Sequence, residues 1–216
     1  MMRHNKMHKC CLMASVMLMG VAHAALPPPE IPDEMVMTPT TTLVLPSGVM
    51  LGNYFPRFED TTLSQVQQAI GVNSGIAHQG DAGGSIYWLC YTIPVKHGGQ
   101  HLWLIASGEM GGLEHDITEV TVQSANGTAP TSDCPALPSR FQPVRLDNSP
   151  VWPGVSRAKA VLSTGGGNQN GNWLFLSSEK WVPPGSCEEA AQENSMYIHT
   201  VFGHVDIVDA GQITAC

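Results

Sequence analysis

Apolar residues recur through residues 60–71, DTTLSQVQQAIG, with a helical period that puts Leu63, Val66 and Ile70 on one face. Asp60 to Thr62 offer N-cap oxygens, Gln65 stands three residues after Thr62 in the capping-box spacing, and Gly71 supplies the stop. Three strand-like runs follow. Residues 85–92, SIYWLCYT, are aromatic and β-branched; residues 101–107, HLWLIAS, come after the turn His97-Gly98-Gly99; residues 117–122, ITEVTV, roughly alternate. A second pass of similar order begins at Val155. Residues 155–163 read as a weak helix with Ala158, Val161 and Leu162 on one side, ending at Gly165-Gly166-Gly167. The run at Trp173–Ser177 resembles the one at Trp88, and Met196–Phe202 resembles the one at Trp103. Between them, residues 186–193 read as a short helix with Ser186 and Glu189 as a capping box; Val205–Asp209 and Gln212–Thr214 offer the closing strand. The pattern predicts an α+β fold of short helices packed on antiparallel sheet, arranged either as two tandem similar modules or as one continuous domain.

Proline and charge mark the boundaries. Residues 1–24 open with Arg3, Lys6 and Lys9, continue with an apolar stretch at 10–22, and close on Ala22-His23-Ala24. That is the layout of an export signal, too short to span a bilayer. Residues 25–46 hold six prolines and read as a flexible, extended tail. Residues 47–125 form the first module, 126–154 a Pro-rich linker expected to cross the surface, and 155–216 the second module.

Composition narrows the function classes. Charged residues make up 13% of the 216, about half the usual ~25%, while 43% are hydrophobic. With 22 Gly and 16 Pro, short elements and many turns are expected, not a coiled coil or a multi-pass membrane protein. The net charge of -8 disfavours nucleic acid as a partner. Three of the ten basic residues leave with the signal and none of the 18 acids do, so the exported chain is more acidic still. No integral membrane segment is expected after signal removal.

Two of the six cysteines also leave, and Cys90, Cys134, Cys187 and Cys216 remain. An even number in an exported chain reads as two disulfides. Three connectivities exist; because each half holds two cysteines, we expect the local pairs Cys90–Cys134 and Cys187–Cys216. Metal binding would need close Cys-x-x-Cys spacing, which is missing.

The stretch Gly48-Val-Met-Leu-Gly52, the helix Leu63–Gly71 and the meander behind it resemble the module of small exported proteins related to the outer-membrane-assembly lipoproteins. The two-module arrangement, with a disulfide per half, is similar to the secreted β-lactamase-inhibitor protein. The resemblance covers mainly residues 48–122 and implies a helical layer on an antiparallel sheet whose open face binds other proteins. The chain departs from it in lacking a lipid-attachment Cys and in the long spacer 54–62. No inhibitory residues carry over, because the matching motif is the helix of the fold and not a binding loop.

Candidate chemistry is sparse. His97 and His101 are four apart but separated by Gly98 and Gly99, so they do not share a helix face as zinc-binding pairs do. Ser107, His115 and a nearby acid (Glu114 or Asp116) have the residue types of a triad, without the strained Gly-x-Ser-x-Gly elbow. The Gly-rich run 163–172 has no Lys to hold a phosphate and reads as a turn. Trp88, Trp103 and Trp173 lie in strand runs and read as core; Trp152 and Trp181 stand in Pro-rich surroundings and are the candidate partner-binding anchors. No catalytic, cofactor-binding or metal-binding residue is assigned. The expected function is therefore that of an exported, periplasmic or secreted, non-catalytic binding protein. An inhibitor or immunity-type role, meeting a protein partner of basic surface, suits the acidic chain. The alternatives are a small periplasmic hydrolase using Ser107 and His115, and a structural envelope accessory protein.

Overall fold

The computed structural model describes residues 26–32, 41–72, 74–81, 84–95, 98–107, 115–125, 127, 129–182 and 190–215. The export signal expected at 1–24, His97, Glu114, Cys187 and Cys216 lie outside these residues, and with them the second expected disulfide.

The fold is α+β. Among the described residues ten strands run in chain order with two short α-helices: β1 (Val49–Leu51), α1 (Leu63–Ile70), β2 (Ala77–Gln79), β3 (Ile86–Val95), β4 (Gly98–Ser107), β5 (Glu119–Ala125), β6 (Val144–Leu146), α2 (Arg157–Thr164), β7 (Asn168–Asn170), β8 (Trp173–Val182), β9 (Ala190–Val201) and β10 (His204–Ala215). Eight of the strands form one antiparallel sheet in the order β2-β3-β4-β5-β10-β9-β8-β7. Two four-stranded meanders thus meet edge to edge, β5 against β10, with Thr121 opposite Asp209 and Glu119 opposite Gly211. Each meander follows one helix in the chain. β1 and β6 make a separate two-stranded ladder.

Alternation along the long strands sorts the side chains onto two faces. Leu89, Tyr91, Leu102, Leu104, Val120, Val122, Leu174, Leu176, Met196, Ile198 and Val208 face the helices and the β1–β6 ladder, and form a single buried cluster with Leu63, Val66, Ile70 and Ala160. That core draws on both halves of the chain. A second cluster, Trp88, Cys90, Trp103, Ile105 and Cys134, lies on the opposite face. The Cys90–Cys134 disulfide expected from the sequence staples it.

Helix α1 forms as its pattern dictates. Thr62 and Gln65 make a reciprocal capping box, Gly71 closes the helix at φ 72°, and Leu63, Val66 and Ile70 are buried. Helix α2 starts at a Ser156 cap and stops at Gly165, but of the expected face only Val161 packs on the core. Ala160 and Thr164 point inward, whereas Leu162 is 83% exposed and Ala158 is exposed too. The entry to the helix decides this: the backbone of Val155 pairs with Val205, and Arg157 N donates to Gly203 O, which fixes the rotation of the first turn. Thr164 tolerates burial because its hydroxyl donates to Ala160 O at 2.8 Å.

Three further expectations are corrected. Residues 190–193, read as part of a helix, belong to β9, where Ala190–Glu193 pair with Val182–Glu179. The 126–154 stretch does more than cross the surface: it contributes β6 and buries Leu137, Phe141, Val144, Leu146 and Val151. The Asp147 carboxylate accepts from Ser47 N, Ser47 Oγ and Gly48 N at 2.8–3.0 Å, which ties this stretch to the start of β1. The proline-rich tail is also engaged where it is described. Leu45 is buried in the main core, and Leu26 O accepts from both Trp88 Nε1 (2.9 Å) and Trp103 Nε1 (3.0 Å).

Candidate binding face at one end of the sheet

The face opposite the helices is ordered in rows by the strand register. Trp181, Ala191 and Ala215 form the outermost row on β8, β9 and β10. Glu179, Glu193 and Ile213 form the next, and Ser177, Ser195, Gly211 and Glu119 the one after. Trp181 is 70% exposed and Ile213 56% exposed. Inside them the side chains are short, and Gly211 has none, so the sheet surface sinks into a hollow of about 70 Å³. Ser107, Ser177 and Ser195 contribute hydroxyls to its lining, and Glu119, Glu179 and Glu193 contribute carboxyls. Together they make an acidic hollow flanked by two exposed apolar side chains.

Glu119 stands at a junction. It lines this hollow and also a second one of about 630 Å³ bounded by Pro27–Ile31, Gln79, Ile86 and Ile105. Its carboxyl is hydrogen-bonded to that of Asp209, and Thr121 Oγ1 donates to Asp209 Oδ2 at 2.6 Å. Asp209 is 2% exposed. Burial pushes the Glu119 carboxyl above the usual carboxylate range; burial, then the Glu119 charge, push Asp209 well above it. The pair therefore favours holding a proton between two oxygens.

The two tryptophans expected as anchors fall in different places. Trp181 is on the open face in β8, not in a turn. Trp152 is half-buried against the main core, and its Nε1 donates to Gln100 Oε1 at 2.9 Å, the arrangement of a lid over the core edge. Trp173 is half-buried and packs on His199 with ring centroids 4.6 Å apart.

Ser107 and His115 are not brought together. The Ser107 hydroxyl lies 2.8 Å from Thr118 Oγ1, on the face of Ile86, its register partner. The His115 ring stacks on Tyr87 at 3.7 Å between centroids, and Tyr87 packs against the helix-side core. A nucleophile and base on opposite faces of a sheet cannot exchange a proton directly. His101 is nearly buried and edge-on to Trp103, and burial pushes its imidazole pKa down. Among the described residues no group of three or more His, Cys, Asp or Glu could hold a metal ion. No helix among them is long and apolar enough to cross a membrane.

Sequence reasoning missed Glu119, Asp209, Ile213 and Phe202. The first three become neighbours only through the β5–β10–β9 pairing. For Phe202 there was a local signal: Gly203 follows it between two strand-like runs, the mark of a tight hairpin, and the structure moves Phe202 from the end of the first run into the turn. No protein-family model matches the chain, and no significant match was found among curated proteins or solved structures.

Proposed function

We propose that the chain is an exported, non-catalytic protein that binds a protein partner of basic surface through the Trp181 end of its sheet. The observation that carries this reading is Trp181 itself, 70% exposed beside Glu179 and Glu193, which line an acidic hollow whose far wall is the exposed Ile213. An exposed indole next to two carboxylates suits an Arg or Lys side chain, by cation–π contact and ion pairing together. The acidic net charge of -8 speeds the approach of a basic partner. The Cys90–Cys134 bond is consistent with an oxidising compartment. An inhibitor or immunity-type role suits an acidic face of this kind. The test is affinity capture from periplasmic extract with the chain lacking residues 1–24. A protein retained at low salt, released as salt is raised and lost on Trp181→Ala supports the reading; retention insensitive to both overturns it.

A further inference from the structure

We propose that Phe202 is a rigid aromatic plug that enters an apolar pocket of a folded protein partner, at the opposite end of β9 from Trp181. Phe202 and Gly203 are the two central residues of the β9–β10 turn, with φ of 50° and 77°. Positive φ at both positions is the geometry of a type I′ hairpin, where Asn-Gly is favoured and a bulky side chain is strained. The ring is 98% exposed, so the free chain recovers nothing by burying it. The residue is thus unfavourable to the fold in two independent ways, which points to a use outside it.

The tip is also held still. Arg157 N donates to Gly203 O, Gly154 N to Val205 O, and Val205 N to Val155 O, at 2.7–2.8 Å. The Arg157 guanidinium donates to Thr200 Oγ1 (2.8 Å), Gln169 Oε1 (3.0 Å) and Gly171 O (3.2 Å), which binds the start of α2 to the ends of β7 and β9. An aromatic ring on so fixed a seat loses little freedom on docking, and buried aromatic anchors carry much of the energy of an interface. The shape selects the partner. A convex two-residue tip fits a cleft, and its flank is the partly exposed Val201. The Arg157 guanidinium at the base of the turn is spent within the chain, and neither turn residue carries a charge, so the receiving pocket is apolar, with the exposed His204 at its rim. A lipid surface is disfavoured by the net charge of -8 and by the lack of a basic cluster at the tip.

The experiment uses the full chain with Phe202→Asn, and with p-benzoylphenylalanine at position 202 in the producing cells. The expected results are a Tm raised by a few degrees for Phe202→Asn, and a photo-crosslink from position 202 to one soluble protein. That protein, purified and titrated against the chain, binds Phe202→Asn at least tenfold more weakly than wild type. A lowered Tm, equal affinity, no crosslink, or crosslinks only to lipid or to a second copy of the chain would each overturn the proposal. Trp181→Ala in the same titration keeps the two surfaces apart. Weakening by Trp181→Ala alone removes the plug and leaves the Trp181 face standing; weakening by Phe202→Asn alone does the reverse.

Discussion

Glu119 and Asp209 share a hydrogen bond between carboxyl groups across the β5–β10 seam, with Thr121 as the third member. The contact is diagonal: Glu119 is opposite Gly211, and Asp209 is opposite Thr121. Because Gly211 projects no side chain, Glu119 can lean towards Asp209. A Cβ at Gly211 would come within 3.7 Å of the Glu119 Cβ and 3.5 Å of Ser195 Oγ.

This pair makes stability depend on pH. Both carboxyls are shifted upwards in the folded chain, by burial first. Unfolded Asp and Glu release their protons near pH ~4, so above that the folded state holds more protons than the unfolded state. The pair's stabilisation is therefore complete below about pH 4 and is lost as pH rises towards the folded pKa values. Asp209→Asn keeps the hydrogen-bonding shape and removes the titration. Urea melts across the acid-to-neutral range should show that it stabilises the chain at neutral pH, changes little at acid pH, and flattens the slope between.

The Cys90–Cys134 bond closes a separation of 44 residues. A loop of that size is worth about 4 kcal/mol in the chain-entropy description. Cys90→Ala with Cys134→Ala should lower the free energy of unfolding by an amount of that order, measured by denaturant melts under non-reducing conditions. It should also loosen Trp88 and Trp103, which pack in the same cluster, and so raise their fluorescence quenching by acrylamide.

Tryptophan substitutions should separate fold from surface. Trp103 is fully buried and Trp88 nearly so. Their truncation to Ala should cost about 3–5 kcal/mol each and unfasten Leu26, whose carbonyl accepts from both. Trp152→Phe should cost about 1 kcal/mol through loss of the bond to Gln100. Trp181→Ala should leave thermal stability within error of wild type, because its ring covers little of the chain.

What the sequence revealed depended on how local the determinants were. Helix α1 was legible because its cap, apolar face and stop lie within ten residues, Thr62 to Gly71. The hairpin strands around Trp88 and Trp103 were legible because aromatic and β-branched residues pack well on a pleated surface. The β1–β6 ladder was not, since it pairs three-residue strands such as Val49 with Leu146, far apart in the chain. Ala190–Glu193 are good helix formers held extended by neighbours on both sides, β8 and β10; tertiary pairing overrides their propensity. The acidic hollow was hidden for the same reason: Glu119, Glu179, Glu193 and Ile213 come from four strands and have no common spacing.

Binding of a basic protein surface at the Trp181 end of the sheet is open to direct test. The most direct measurement is the affinity of the captured partner for wild type, Trp181→Ala and the double charge reversal Glu179→Lys with Glu193→Lys, each titrated at low and at raised salt. At least tenfold weaker binding is expected for both variants, with a salt dependence in wild type that the charge reversal abolishes. Equal affinity for all three chains, with no dependence on salt, would contradict binding at that end of the sheet.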